Sequence, residues 1–215
     1  MKSHLSAIAA ALISVCAVAP TSSAQQGQVN SRSDGFFVGL GVEGDGVSTH
    51  MAQSTIWTKT AGGGVGLVFG YGFTPRWSLY SDLSTASIDR DQDQGGRYSL
   101  RHLDAGMRVH FRTGRNAVVP FAQFGFSGRS MIEHFPQYTG SVLTSVNTVE
   151  SRSTGVGFGG GMNVHFTPAL AFSGSVAWTI GNFSGYKLNG QRMEGVPWHA
   201  TSARMRLGMV WFPKA

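Results

Sequence analysis

Six ionisable residues share a common position. Glu43, Asp82, Asp104, Arg108, Arg204 and Arg206 each lie in a run of alternating apolar and polar residues, and each falls at the parity of the small and polar side chains. Tyr80, His110, Gln123, Asn163 and His165 share that parity. Carboxylates and guanidinium groups on the inner face of a narrow, partly dehydrated structure persist only when paired and hydrogen-bonded. The set therefore predicts an interior salt-bridge network, with Asp82 and Asp104 held by Arg108, Arg204 and Arg206. Such a network is expected to plug the interior, with the gate of a small pore as the alternative.

Candidates for covalent chemistry are sparse. His199 with Ser202, and His102 with Asp104, combine a base with a hydroxyl or an acid, and each pair is read as sharing one sheet face. Spacing alone builds no mechanism from them, so the expectation is a chain that is not an enzyme. No two histidines stand at a close ligand spacing, so no metal site is expected, and His110 and His165 read as lumenal hydrogen-bonding groups. The glycine runs at 62–64 and 159–161 lack the Lys-Ser/Thr of a phosphate loop, and no cofactor is implied.

The elements that position these residues read as strands. Eight segments alternate with period two, at 35–44, 60–73, 76–88, 98–112, 117–132, 151–166, 169–183 and 200–212. In the fourth, Leu103, Ala105, Met107, Val109 and Phe111 oppose Asp104, Gly106, Arg108, His110 and Arg112. In the last, Ala203, Met205, Leu207, Met209 and Trp211 oppose Arg204, Arg206 and Gly208. The connectors alternate in length. Thr74-Pro75, Thr113-Gly114-Arg115 and Thr167-Pro168 make short turns, while 45–59, 89–97, 133–150 and 184–199 are longer and more polar. Short turns on one side and long loops on the other suit an up-and-down barrel in a membrane. Because a small barrel has a narrow interior, the small and charged set belongs inside and the bulky apolar set outside. Phe73, Trp77, Phe111, Phe166, Trp211 and Phe212 cluster beside the short turns and are expected to form an aromatic girdle at headgroup level.

Composition agrees. Glycine contributes 30 of 215 residues, and charged residues are 13%, about half the usual share. After residue 24 there is no run long and apolar enough for a membrane helix, so a spanning chain must be a closed barrel. Lys2, the apolar run from Ala7 to Val18, and the small residues Ser22 and Ala24 form a secretory leader expected to be cut after Ala24. The lone cysteine, Cys16, lies within it. Residues 25–34 read as a flexible periplasmic N-terminus and 35–213 as the barrel. The formal net charge of +6 on an exported chain points to lipopolysaccharide phosphates rather than nucleic acid. Arg90, Arg97, Arg101, Arg129, Lys187 and Arg192, near the long loops, are the expected contacts. The loop 133–150, with Phe135 and Tyr138, reads first as a mobile solvated loop, with a projecting β-hairpin that meets a surface partner by edge pairing as the alternative.

Several motifs resemble a known family. Gly35-Phe36-Phe37-Val38-Gly39 opens the first strand, Gly70-Tyr71-Gly72-Phe73-Thr74-Pro75 leads into the first turn, and Val118-Val119-Pro120-Phe121 opens the fifth. Gly157-Phe158-Gly159-Gly160-Gly161-Met162 and Arg206-Leu207-Gly208-Met209-Val210-Trp211-Phe212 complete the set. Together they resemble the small outer-membrane β-barrels of the OmpA transmembrane domain, OmpX and OmpW kind. The resemblance implies an all-β, eight-stranded antiparallel transmembrane barrel, monomeric, in the bacterial outer membrane, with a structural or surface-interaction role. Its alternatives are a narrow channel for small or hydrophobic solutes and a lipid A-modifying enzyme. It also implies the barrel-assembly machinery as a partner, which in this family reads a terminal aromatic. Here Phe212 is followed by Pro213-Lys214-Ala215.

Overall fold

Period-two alternation with β-branched and aromatic residues on one face favours extended chain, and successive short turns force antiparallel neighbours. The computed structural model describes residues 31, 33–51, 57–89, 97–111, 114, 116–139, 142–193 and 198–213. The expected leader over 1–24 and its cleavage site lie outside them, as do Arg90 and Arg112. The described chain forms β1 (Gly35–Met51), β2 (Trp57–Gly72), β3 (Trp77–Asp89), β4 (Arg97–His110), β5 (Val118–Thr139), β6 (Val142–Thr167), β7 (Leu170–Leu188), β8 (Gln191–Met193) and β9 (Trp198–Trp211). Eight long strands pair antiparallel in sequence order, and β9 closes the sheet between β7 and β1. The three-residue β8 only folds back on the end of β7.

The closure has a definite stagger. Hydrogen-bond partners followed around the wall from Leu40 pass through Leu67, Leu83, Leu103, Gly128, Thr154, Asn182 and His199. They return to β1 at His50, ten residues beyond the start. Eight strands with a shear of ten tilt by about 40° to the barrel axis.

The bulky set faces outward, with Leu40 66% exposed and Phe126 77% exposed. The opposite parity is buried and carries Glu43, Asp82, Asp104, Arg108, Gln123, Asn163, His165 and Arg204. The interior is less uniformly polar than expected. Phe37, Val68, Tyr80, Ala171, Val210 and Phe212 form an apolar cluster at the short-turn end. Val47, Ala86, Ile88, Tyr98 and Leu100 form a second toward the long loops.

Several strands run longer than expected, to Met51 in β1 and to Leu188 in β7. Most of 133–150 is a hairpin, with β5 continuing to Thr139 and β6 starting at Val142. Its Ser, Thr and Val content suits a paired strand even without burial. The β7–β8 turn docks against this hairpin: Asn189, in the left-handed conformation with φ 49°, accepts from the Thr148 N–H at 2.8 Å and donates to Asn147 at 2.9 Å. At the other end, the supposedly flexible 25–34 is held where it is described. The Ser31 N–H donates to the Gly114 carbonyl at 2.7 Å, and Ser33 is buried.

Candidate functional site

The network sits at mid-height in the lumen and follows from strand register. β1 and β9 pair Glu43 opposite Arg206 and Asp45 opposite Arg204, while β3 and β4 place Asp82 opposite Asp104. Arg206 bridges the barrel: Nε donates to Glu43 at 2.5 Å, while Nη1 and Nη2 donate to the two Asp82 oxygens at 2.7 and 2.5 Å. Arg204 donates to Asp104 and to Ser84 Oγ, and its Nη1 lies 3.9 Å from Asp82. Ser127 also donates to Asp104. Gly66 makes room for this arrangement, since a Cβ there would collide with Arg206 and Glu43.

Arg108 departs from the expected pairing with a carboxylate. It donates to Gln123 at 2.9 Å, and its guanidinium lies over the Phe121 ring at 4.1 Å and near Tyr80 at 5.2 Å. Cation–π contact thus takes the place of an ion pair. Arg129, expected among the external contacts, is 3% exposed inside the lumen. It donates to Ser153 at 2.9 Å and to the Ala200 carbonyl at 3.0 Å. Its place follows from parity, which it shares with Gln123 and Ser127 on β5.

Two members were not anticipated. Asp45 lies just past the expected end of the first strand, and His102, only a candidate partner of Asp104 by spacing, places Nε2 3.6 Å from Asp45. With Asp45 and Arg129 counted, the belt of described residues joins Glu43, Asp45, Asp82 and Asp104 with Arg108, Arg129, Arg204 and Arg206, and His102 lies beside them. His199 and Ser202 do not share a face, because they are three residues apart on β9: His199 is exposed and Ser202 is buried. His110 contacts Ser78 at 3.2 Å, and His165 lies against Phe212. Among the described residues no group of three His, Cys, Asp or Glu is arranged to hold a metal ion.

A family model described as "Outer membrane protein beta-barrel domain" matches residues 8–193. The chain belongs to this family. Several solved outer-membrane barrels share the fold. OprG from Pseudomonas aeruginosa is 15% identical, with a TM-score of 0.59 over 87% of this chain and 100% of that one. Neisserial surface protein A is 14% identical, with a TM-score of 0.57 over 83% of this chain and 97% of that one. AlkL, solved in lipid bilayers, is 10% identical, with a TM-score of 0.55 over 89% and 95%. No curated protein sequence matches the chain.

In an outer-membrane barrel the outward face meets lipid, which gives the remaining residues their setting. Phe73, Trp77, Phe111, Phe166 and Trp211 point outward beside the short turns, at the position of a girdle. Phe212 does not join them. One residue beyond outward-facing Trp211, it turns inward, is 2% exposed, and packs on Phe37 at 5.8 Å between ring centres. Of the external cations, Arg97 pairs with Asp89 at 2.7 Å, and Arg101 and Arg192 are exposed, while Lys187 is half-buried.

Proposed function

We propose that this outer-membrane barrel is a sealed structural and surface-interaction protein of the cell envelope, meeting its partners through the strands that project beyond the membrane. The observation that supports this is the stacking of three groups of lumenal side chains. The Phe37–Phe212 cluster lies at the short-turn end, the ion-paired belt above it, and the Val47–Leu100 cluster beyond the belt. A hydrated ion needs a continuous water path, and the cavity beside Arg108 measures about 10 Å³, near the lower limit for one water. An eight-stranded barrel is just wide enough for its own side chains.

The projecting β5–β6 hairpin, braced by Asn189, is the contact element of this reading, with edge pairing as its mode. Catalysis has no part in it, since the His199–Ser202 pair is split between faces and His102 turns to Asp45. Export with cleavage near Ala24, delivery to the barrel-assembly machinery, and a monomeric state complete the proposal. Planar-bilayer recording tests it. The refolded chain adds no conductance steps, whereas steady ohmic steps would overturn the seal in favour of a narrow channel for small solutes.

A further inference from the structure

The outer wall carries a groove of about 650 Å³ that spans six strands. Its two banks are adjacent outward-facing rows, each following the hydrogen-bond register. The lower row runs Leu40, Leu67, Leu83, Leu103, Gly128 and Thr154. The upper row runs Val65, Thr85, Arg101, Ser130 and Arg152. Each row is therefore apolar at the β1–β3 end and polar at the β5–β6 end, and the two arginines lie on the upper row only.

Register converts this polarity into depth in the membrane. Five strand steps span about 24 Å, and a row perpendicular to strands tilted by about 40° climbs roughly 15 Å, half the hydrocarbon thickness. Arg101 lies on β4 ten residues from Phe111 of the short-turn girdle. At an axial rise of about 2.6 Å per residue that is about 26 Å, the height of the apolar band. The groove thus starts among acyl chains and ends at the far headgroup level, on the long-loop side.

Charge at that end favours an anion. Arg152 donates to Glu150 at 2.7 Å, and Ser130 donates to the same carboxylate oxygen at 3.3 Å. Glu150 thus offsets Arg152, and among the described residues no acid pairs with Arg101. Two strand spacings, about 10 Å, separate the two arginines, close enough to hold one phosphate group between them through charge-assisted bonds.

The geometry points to a phosphorylated acyl glycolipid of the outer leaflet as the occupant, with one acyl chain along the leucine row and its phosphate between Arg101 and Arg152. This rests on the outer-membrane placement given above, narrows the external cations to Arg101, and adds Arg152.

The full-length chain refolded in neutral detergent is tested by native mass spectrometry with bisphosphorylated lipid A, with dephosphorylated lipid A, and with phosphatidylglycerol. Lipid A is retained best, and the double variant Arg101→Gln/Arg152→Gln binds it about tenfold more weakly, as expected when two charge-assisted contacts are lost. Gly128→Phe blocks the groove without touching the arginines. A Cβ at that position meets only the Leu103 carbonyl, at 3.6 Å, an ordinary van der Waals contact. If that variant does not fold, Thr154→Trp fills the same stretch. Retention of phosphatidylglycerol equal to lipid A makes the site a general phosphate contact and overturns the glycolipid assignment. Unchanged lipid A binding in the double variant overturns the phosphate clamp, and unchanged binding in the groove-filled variants overturns the acyl groove. Absence of a heat-modifiable band contradicts the barrel itself, whereas a folded barrel that ignores the phosphates overturns only this site.

Discussion

Asp82 and Asp104 face each other as direct partners on β3 and β4. Like charges at such a position repel, and the sheet alone has no remedy. The remedy comes from across the lumen, where Arg206 takes Asp82 and Arg204 takes Asp104. Both arginines lie on β9, the strand that closes the sheet between β7 and β1, so the charge balance requires the closed barrel.

Arg206→Met consequently leaves Glu43 buried without its cation and Asp82 with only the 3.9 Å contact to Arg204. A loss of about 3–5 kcal/mol is expected, measured by urea unfolding of the barrel in lipid vesicles. The triple variant Glu43→Gln/Asp82→Asn/Arg206→Met removes the stranded charges and recovers most of that loss. A triple variant as unstable as the single one would mean that Arg206 acts through packing.

Gly66→Val tests the space reserved for that pair. Its side chain would occupy the position of the Arg206 guanidinium and Glu43 carboxylate, so overpacking of about 1–3 kcal/mol adds to any broken pairing. Folded yield and urea midpoint both fall, whereas Gly44→Val, at a position where a Cβ meets nothing within 4 Å, leaves them near wild type.

Neighbouring aromatics at the end of the last strand should respond in different ways. Phe212→Ala opens a cavity in the lumenal floor beside Phe37 and His165, at a cost of about 3–5 kcal/mol. Trp211→Ala removes a lipid-facing ring and costs less. Fluorescence quenching by brominated lipid disappears in part for Trp211→Ala and persists for Phe212→Ala.

Alternation made most of the wall legible. The same parity argument puts Glu43, Asp82, Asp104, Arg204 and Arg206 on the inner face, where the structure has them. Parity also separates residues that location or chemical type misplaces. Arg129 stands near a long loop yet shares parity with Gln123 and Ser127 and is buried, and Phe212 is an aromatic beside the short turns yet follows outward-facing Trp211 and is buried. Asp45 escapes the pattern because β1 outruns its apolar signal: above the membrane, backbone pairing continues without greasy side chains. The register around the barrel was not readable at all, since it depends on every turn and bulge together. The partner of Arg204, the Arg108–Phe121 contact and the groove on the wall therefore emerge only with the closed structure.

A nitroxide scan along β5 reads out which way the side chains of the wall point. With Cys16 replaced by Ser, single cysteines at Gln123, Phe124, Phe126 and Ser127 are spin-labelled in vesicles, and collision with dissolved oxygen is recorded. High accessibility at 124 and 126 with low accessibility at 123 and 127 is the predicted pattern, matching exposed Phe124 and Phe126 and buried Gln123 and Ser127. The reverse alternation, or none, would contradict a lipid-facing apolar wall around an ion-paired lumen.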